Sequence, residues 1–226
     1  AIASMPPVIS KRDANGLVSI SNPGDCKMVF TVDGTEPTAS SPIYSSPFTP
    51  PSDSPVQAAC LMPNGQLGIV AAKSFVGLPT TGWKVVAVDS QETAGADNSA
   101  ARAIDGDSST FWHTRWNDDL KLPHSITVDM GKSHRISGIT YLPRQDGNPN
   151  GTVERYRFET SEDGTDWTAN VISGTFANIR NNPSLQQVNF APVNARYFRF
   201  TALREVNGNG WTSAAEISVL PDGSGN

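Results

Sequence analysis

The chain has 226 residues, enough for one large β domain or for two smaller domains that each bury a core of their own. Its formal net charge of −5, with no run of Lys or Arg, excludes the electrostatic footprint of a nucleic-acid binder or of an anionic-membrane binder. No apolar run approaches the ~20 residues of a membrane span, and the start Ala-Ile-Ala-Ser-Met lacks the charged head and apolar centre of a signal peptide, so the chain reads as a piece of a longer protein.

In chain order, 6–9 and 16–21 are short β-prone runs broken by Asn-Gly and Asn-Pro-Gly turn signals. Runs at 28–32, 56–61 and 69–75 read as further strands separated by Pro-rich loops, and helix signals are missing. Strands this short and evenly spaced predict a small β-sandwich. Cys26 and Cys60 are the only cysteines; a disulfide and a pair of small buried thiols both fit them. Gly and Pro punctuate 77–82, which is the predicted linker and sets two domains, 1–79 and 80–226. Beyond it, 83–88, 125–130, 135–142, 153–161, 187–190, 195–201 and 215–219 mostly alternate as half-buried antiparallel strands do. Asp163-Gly164 ahead of Trp167 is a hairpin signal, and many strands without helices predict a sandwich or jelly roll. The fold class expected is therefore all-β throughout.

The stretch 102–116 is the densest in chemistry. Asp105-Gly106-Asp107, followed by Ser and Thr, can curl carbonyls and a carboxylate around a hard cation, which takes oxygen ligands. Phe111, Trp112 and Trp116 offer flat apolar faces while His113 and Arg115 offer donors in fixed planes, a pairing that suits a sugar. Read alone, Asp-Gly-Asp is a turn and a lone His is a core histidine. Glu154, Glu159 and Glu162 read as a solvated face, His124 and His134 as structural or exposed, and Trp167 as core. No nucleophile with a base, no acid pair and no metal-ligand His spacing has supporting context, so the chain is expected to be no enzyme by itself.

Residues 30–38, with Pro42-Ile43-Tyr44 and Pro47-Phe48, resemble the immunoglobulin-like module that follows the catalytic domain in some bacterial hexosaminidases and fucosidases, where it acts as a spacer. From 83 to 220, the motifs Ala-Ile-Asp-Gly-Asp, Phe-Trp-His-Thr-Arg-Trp, Leu-Pro-Arg-Gln-Asp-Gly, Tyr-Arg-Phe-Glu-Thr-Ser-Glu-Asp-Gly and Trp-Thr-Ser-Ala-Ala-Glu-Ile resemble a family 32 carbohydrate-binding module. These are galactose-binding-like jelly rolls of the discoidin, or coagulation factor 5/8 type C, superfamily. The module order, with 83–93, resembles the C-terminal part of bacterial family 29 α-L-fucosidases, and galactose oxidases, sialidases and hexosaminidases carry similar modules.

The resemblance implies a site for terminal galactose or N-acetylgalactosamine at His113, Arg144, Asn150 and the platform Trp211. It also implies a structural Ca²⁺ held by the carbonyls of Arg102, Asp107, Thr110 and Ala215, the Thr110 hydroxyl, and the carboxylates of Asp105 and Glu216. A glutamate used by some sialidase-linked relatives falls at Ala96 and is absent. The implied partners are galactose- or N-acetylgalactosamine-containing glycans and the catalytic domain of an attached glycoside hydrolase, in a protein that is secreted, periplasmic or at the cell surface. A discoidin-type domain that attaches to protein or phospholipid is the alternative; those domains usually carry a disulfide tying their ends, and 83–220 contains no Cys.

Overall fold

The computed structural model describes residues 5–223 apart from 14, 23, 53, 118–120 and 168–169. The chain divides into two compact units, Ala1–Val76 and Gly77–Asn226, against an expected boundary at 79/80.

The first unit is a small immunoglobulin-like β-sandwich. Strands β1 (Val8–Ile9) and β2 (Ile20–Ser21) pair with each other, while β3 (Lys27–Thr31), β4 (Val56–Leu61) and β5 (Ala71–Lys73) form a three-stranded antiparallel sheet. Ile9, Val18, Ile20, Val56, Ala58 and Phe75 bury their side chains together, and Phe30, Tyr44 and Phe48 pack against them. The open choice at the cysteines resolves as a disulfide: Cys26 and Cys60 are bonded across 34 residues, where the β3 and β4 ends meet.

The second unit is a discoidin-like jelly roll built around two long strands. The runs expected at 125–130 and 135–142 are one strand, β8 (His124–Leu142), and those at 187–190 and 195–201 are one strand, β11 (Gln186–Glu205). Alternation alone splits them because polar turn-like residues, such as Gly131-Lys-Ser-His134, interrupt the pattern where register shifts between Asn189/Val193 and Ala195/Tyr197 let both strands bend. Their two halves serve different layers. The first part of β8 pairs with β6 (Lys84–Val88) and with the later part of β11, which in turn pairs β9 (Val153–Ser161) and, through it, β10 (Asn170–Thr175). The second part of β8 pairs with β13 (Glu216–Pro221) and the early part of β11. Between the layers lie Ile126, Val128, Phe158, Phe198 and Phe200 from one side and Ile136, Ile139, Tyr141, Ile217 and Val219 from the other.

Four elements bear on the sites expected from the sequence. A 3₁₀ turn, Ala100–Ile104, precedes the Asp105 turn, although no helical element is expected there. Strand β7 (Trp112–His113) pairs with β12 (Ser213–Ala214), with His113 opposite Ser213. Two loops flank this ribbon, 143–152 and 206–212. Trp112 is core and offers no face to a ligand: it is fully buried and donates its indole N–H to the Ser90 carbonyl at 2.9 Å. Trp167, expected in the core, is outside the core cluster; it is half-buried, with the Arg199 guanidinium 4.1 Å from its ring centroid. Glu159 is buried and paired with Arg157, so it departs from the solvated face expected of it.

Candidate functional site

The β7–β12 ribbon fixes the histidine. Thr114 donates its N–H to the Thr212 carbonyl at 2.9 Å and accepts the Thr212 N–H on its hydroxyl at 3.0 Å, which clamps the residue after His113 to the residue after Trp211. His113 is 3% exposed, and its Nδ1 lies 2.5 Å from the Thr114 carbonyl oxygen. A carbonyl only accepts, so Nδ1 carries the proton and Nε2 presents a lone pair. Burial, opposed in part by that carbonyl and reinforced by the Arg144 charge, holds the imidazole below its ordinary pKa and therefore neutral. His113 thus supplies an acceptor rather than the donor read from the sequence.

Three aromatic rings surround it. Trp116, Trp211 and Phe111 have ring centroids 5.6, 6.4 and 6.5 Å from that of His113. Trp116 is 37% exposed and Trp211 is half-buried, so neither indole is wholly enclosed. Phe111 has a different role from the ligand platform expected of it. The Arg144 guanidinium carbon sits 4.1 Å from its ring centroid, so Phe111 is the floor on which that cation rests.

Arg144 is held on a second side by Asp146, whose carboxylate accepts from Nε at 2.8 Å and from Nη2 at 2.5 Å. That bidentate pair is the bland reading of an Arg-x-Asp loop, yet it leaves Nη1 as a donor on a side chain that is only 10% exposed. Asn150 lies at the far end of the same loop. Its carbonyl accepts the Ser213 hydroxyl at 3.1 Å, and the next carbonyl, of Gly151, accepts the Ser213 N–H at 2.7 Å. Gly151 has φ +81° and a Cβ there would stand 2.7 Å from the Ser213 nitrogen, so only glycine lets this loop lie against β12. The structure thereby brings His113, Arg144, Asn150 and Trp211 to one end of the unit.

Glu205 and Glu92 organise the loops, and neither was singled out from the sequence. The buried Glu205 carboxylate accepts the N–H groups of Gly151, Asn207 and Asn209, tying the Asn150 loop to the loop that carries Trp211. Glu92 does the same for 93–95, accepting from Ala94 at 2.8 Å and Gly95 at 2.9 Å. The available signal is an acidic residue next to a Gly- and Asn-rich loop, which is rich in unpaired N–H groups. A cleft of about 290 Å³ shares Arg144 with the site, but its other walls include Ile179, Arg180, Pro183 and Val206, and His113, Asn150 and Trp211 do not line it.

The cation residues also converge. Gly106 has φ +74°, and the turn it makes lets Asp105 accept the Asp107 N–H at 2.9 Å and the Thr110 hydroxyl at 2.7 Å. Glu216, at the start of β13, reaches the same turn: burial first, then the charge and contact of Asp105, push its carboxyl up to about 8. Its Oε1 is buried without a hydrogen-bond partner, while the Gly106 and Asp107 N–H groups of the turn also reach this carboxyl. Ala215 is buried beside it, its N–H on the Leu142 carbonyl at 2.8 Å. The Arg102 guanidinium donates to Asp97 and to Asp105 from the 3₁₀ turn. Among the described residues no three His, Cys, Asp or Glu side chains cluster as a metal site, so an ion here would draw on two carboxylates and, beyond them, on hydroxyl and main-chain oxygens. That donor set fits a hard cation.

Comparison with known proteins accords with this architecture. Residues 13–71 match the chitobiase/β-hexosaminidase C-terminal domain family. A galactose oxidase from Gibberella zeae is 38% identical over 166 residues, which are 70% of this chain and 23% of that protein, so the chain spans less than a quarter of that relative. A Clostridium perfringens module, solved in complex with GalNAc-β-1,3-galactose, is 35% identical with a TM-score of 0.56 and covers 64% of this chain and 99% of its own. The family 32 carbohydrate-binding module of Clostridium perfringens NanJ, solved in complex with galactose, is 30% identical with a TM-score of 0.54 and covers 63% of this chain and 96% of its own. Residues 70–217, well over half the chain, match the F5/8 type C domain, and the chain belongs to that family.

Proposed function

We propose that the second unit is a non-catalytic carbohydrate-binding module for terminal galacto-configured sugars, galactose or N-acetylgalactosamine, and that it directs an attached glycoside hydrolase to glycans outside the cell. The observation that carries the reading is the pairing of a neutral, buried His113, whose Nε2 accepts, with the Arg144 guanidinium held on Phe111, whose Nη1 donates. A hydroxyl both donates and accepts, so an axial 4-hydroxyl can satisfy both groups at once. Trp211 takes the apolar face of the ring, and Asn150, able to donate and accept, serves a neighbouring hydroxyl. The equatorial 4-hydroxyl of glucose misses the pair and leaves desolvated groups unsatisfied, at about 1–3 kcal/mol. The galactose and GalNAc-β-1,3-galactose complexes of the Clostridium perfringens relatives support the same ligand class.

A structural Ca²⁺ belongs to the same proposal, with Asp105, Asp107, Thr110, Glu216 and the carbonyls of Arg102 and Ala215 as its holders. The orphaned Glu216 oxygen supports it. The order of the two modules supports an α-L-fucosidase as the attached enzyme.

Calorimetric or NMR titration with galactose, N-acetylgalactosamine and glucose tests the sugar reading. A shallow site should bind galactose with Kd on the order of 0.1–1 mM, about −4 to −5.5 kcal/mol. Arg144→Ala should weaken it by about tenfold or more, from a charged hydrogen bond of ~1.5–3 kcal/mol. Equal response to glucose and galactose, or undiminished binding by Arg144→Ala, rejects the assignment.

A further inference from the structure

His124 opens β8 with its side chain 3% exposed, and the sugar reading makes no use of it. Its Nδ1 lies 2.5 Å from Asp89 Oδ2 and its Nε2 lies 2.8 Å from the carbonyl oxygen of Gly210, the residue before Trp211. A carbonyl cannot donate, and neither can an ionised carboxylate, so both ring nitrogens must donate. Only the imidazolium does that. Asp89 is held in turn by the Ser125 N–H at 2.7 Å on its other oxygen; although burial works against its charge, these bonds keep its carboxyl below the ordinary range. Burial likewise works against the charged ring of His124, but Asp89 and the Gly210 carbonyl outweigh it and hold the imidazole above its ordinary pKa.

The position of Gly210 gives this arrangement its meaning. Glu205 anchors the loop at Asn207 and Asn209, and Thr114 anchors it at Thr212. His124 holds the carbonyl between those anchors, one residue from the indole. We infer that His124 is a positioning residue of the sugar site: as imidazolium it straps the Trp211 loop to Asp89 and sets the stacking face, so sugar affinity declines on the alkaline side. Loss of the proton leaves Nδ1–H on Asp89 and turns the Nε2 lone pair against the Gly210 oxygen, two acceptors in contact, and the carbonyl must move away. Among the described residues Asp89 is the ionisable side chain bonded to this ring. His113 titrates in the opposite sense: its acceptor is lost on protonation, so the acid limb of the profile is its own.

The inference rests on the proposed sugar site, and the test separates the two. Ring ¹⁵N NMR of the full chain reads His124 directly, the Trp211 indole N–H signal reads the platform with or without sugar, and galactose titrations from weakly acidic to alkaline pH read affinity. Both His124 nitrogens should be protonated at neutral pH, the Trp211 signal should shift with the His124 midpoint, and Kd should rise several-fold across the same interval. His124→Gln should bind several-fold more weakly at neutral pH and show no alkaline limb. A neutral ring at neutral pH, or a Trp211 signal and a Kd that stay constant while His124 titrates, overturns the inference. Absence of galactose binding at every pH counts against the sugar site, while the ring and indole signals still decide the strap. Should the variant fail to fold, the wild-type measurements alone decide.

Discussion

Phe111→Leu isolates the support beneath the Arg144 guanidinium. The Arg144 guanidinium carbon lies 4.1 Å from the Phe111 centroid and its side chain is only 10% exposed, so the contact sits nearer the desolvated end of the cation–π range. That end is ~2 kcal/mol and the exposed end ~0.5–1 kcal/mol, which places the loss at about 1–2 kcal/mol. Leu keeps an apolar cover on the half-buried position but offers no ring face, so the Asp146 pair alone must orient the guanidinium. Galactose binding should then weaken by about 5- to 30-fold. The assay is NMR titration beside a thermal melt, with the double variant Phe111→Leu, Arg144→Ala completing a cycle. If Phe111 acts through Arg144, the double variant binds no more weakly than Arg144→Ala. Wild-type affinity in Phe111→Leu, or the same further loss on the Arg144→Ala background, would refute the reasoning.

Three other outcomes follow from the cation turn and the disulfide. Chelator should lower the melting temperature of the second unit, since an ion that binds the folded state alone adds ~2.7 kcal/mol at 100 times Kd. With chelator present, the folded Glu216 carboxyl at about 8 lies above its ordinary 4.5. The folded state therefore holds a proton that the unfolded chain has released, and stability should fall as pH rises through that window. Saturating calcium should abolish the fall, and a chelated melt that is flat over this range contradicts the account. Reduction of Cys26–Cys60, which closes a loop of 34 residues, should cost the first unit ~4 kcal/mol on the chain-entropy account. Calorimetry with and without reductant checks this: the second unit, which has no Cys, should keep its transition.

Strands were legible where alternation and β-prone composition run without interruption. The runs at 56–61 and 153–161 coincide with β4 and β9 because each is bounded by turn residues and has a uniform burial pattern on one face. What alternation misses are elements held by partners distant in sequence. Strand β7 is two residues long, and only its pairing with β12, about a hundred residues on, makes it a strand. Strand β10 is short and interrupts Val171-Ile172 with Ser173-Gly174, and it pairs along the edge that β9 offers. The bends in β8 and β11 read as breaks because polar residues there sit at register shifts, which no local pattern distinguishes from a turn.

The site divides along the same line. The residue types that bear its chemistry lie in short motifs, so His113, Arg144, Asn150 and Trp211 could be named, and the loops do bring them together. Their chemical states could not be read, because each is set by a contact made in three dimensions. Nothing in Trp-His-Thr tells which nitrogen of His113 is protonated; the Thr114 carbonyl decides that. Nothing local tells whether Arg144 is tied up by Asp146 or still available; the ring of Phe111, thirty-three positions earlier, fixes the plane and Asp146 takes Nε and Nη2, so Nη1 is the nitrogen outside that pair. His124 is the extreme case. Beside Pro123 it reads as structural, and it is buried as a structural residue is, yet the carbonyl it holds belongs to the residue before Trp211. Residue identity can therefore locate such a site, whereas donor, acceptor and charge follow from the second partner of each group.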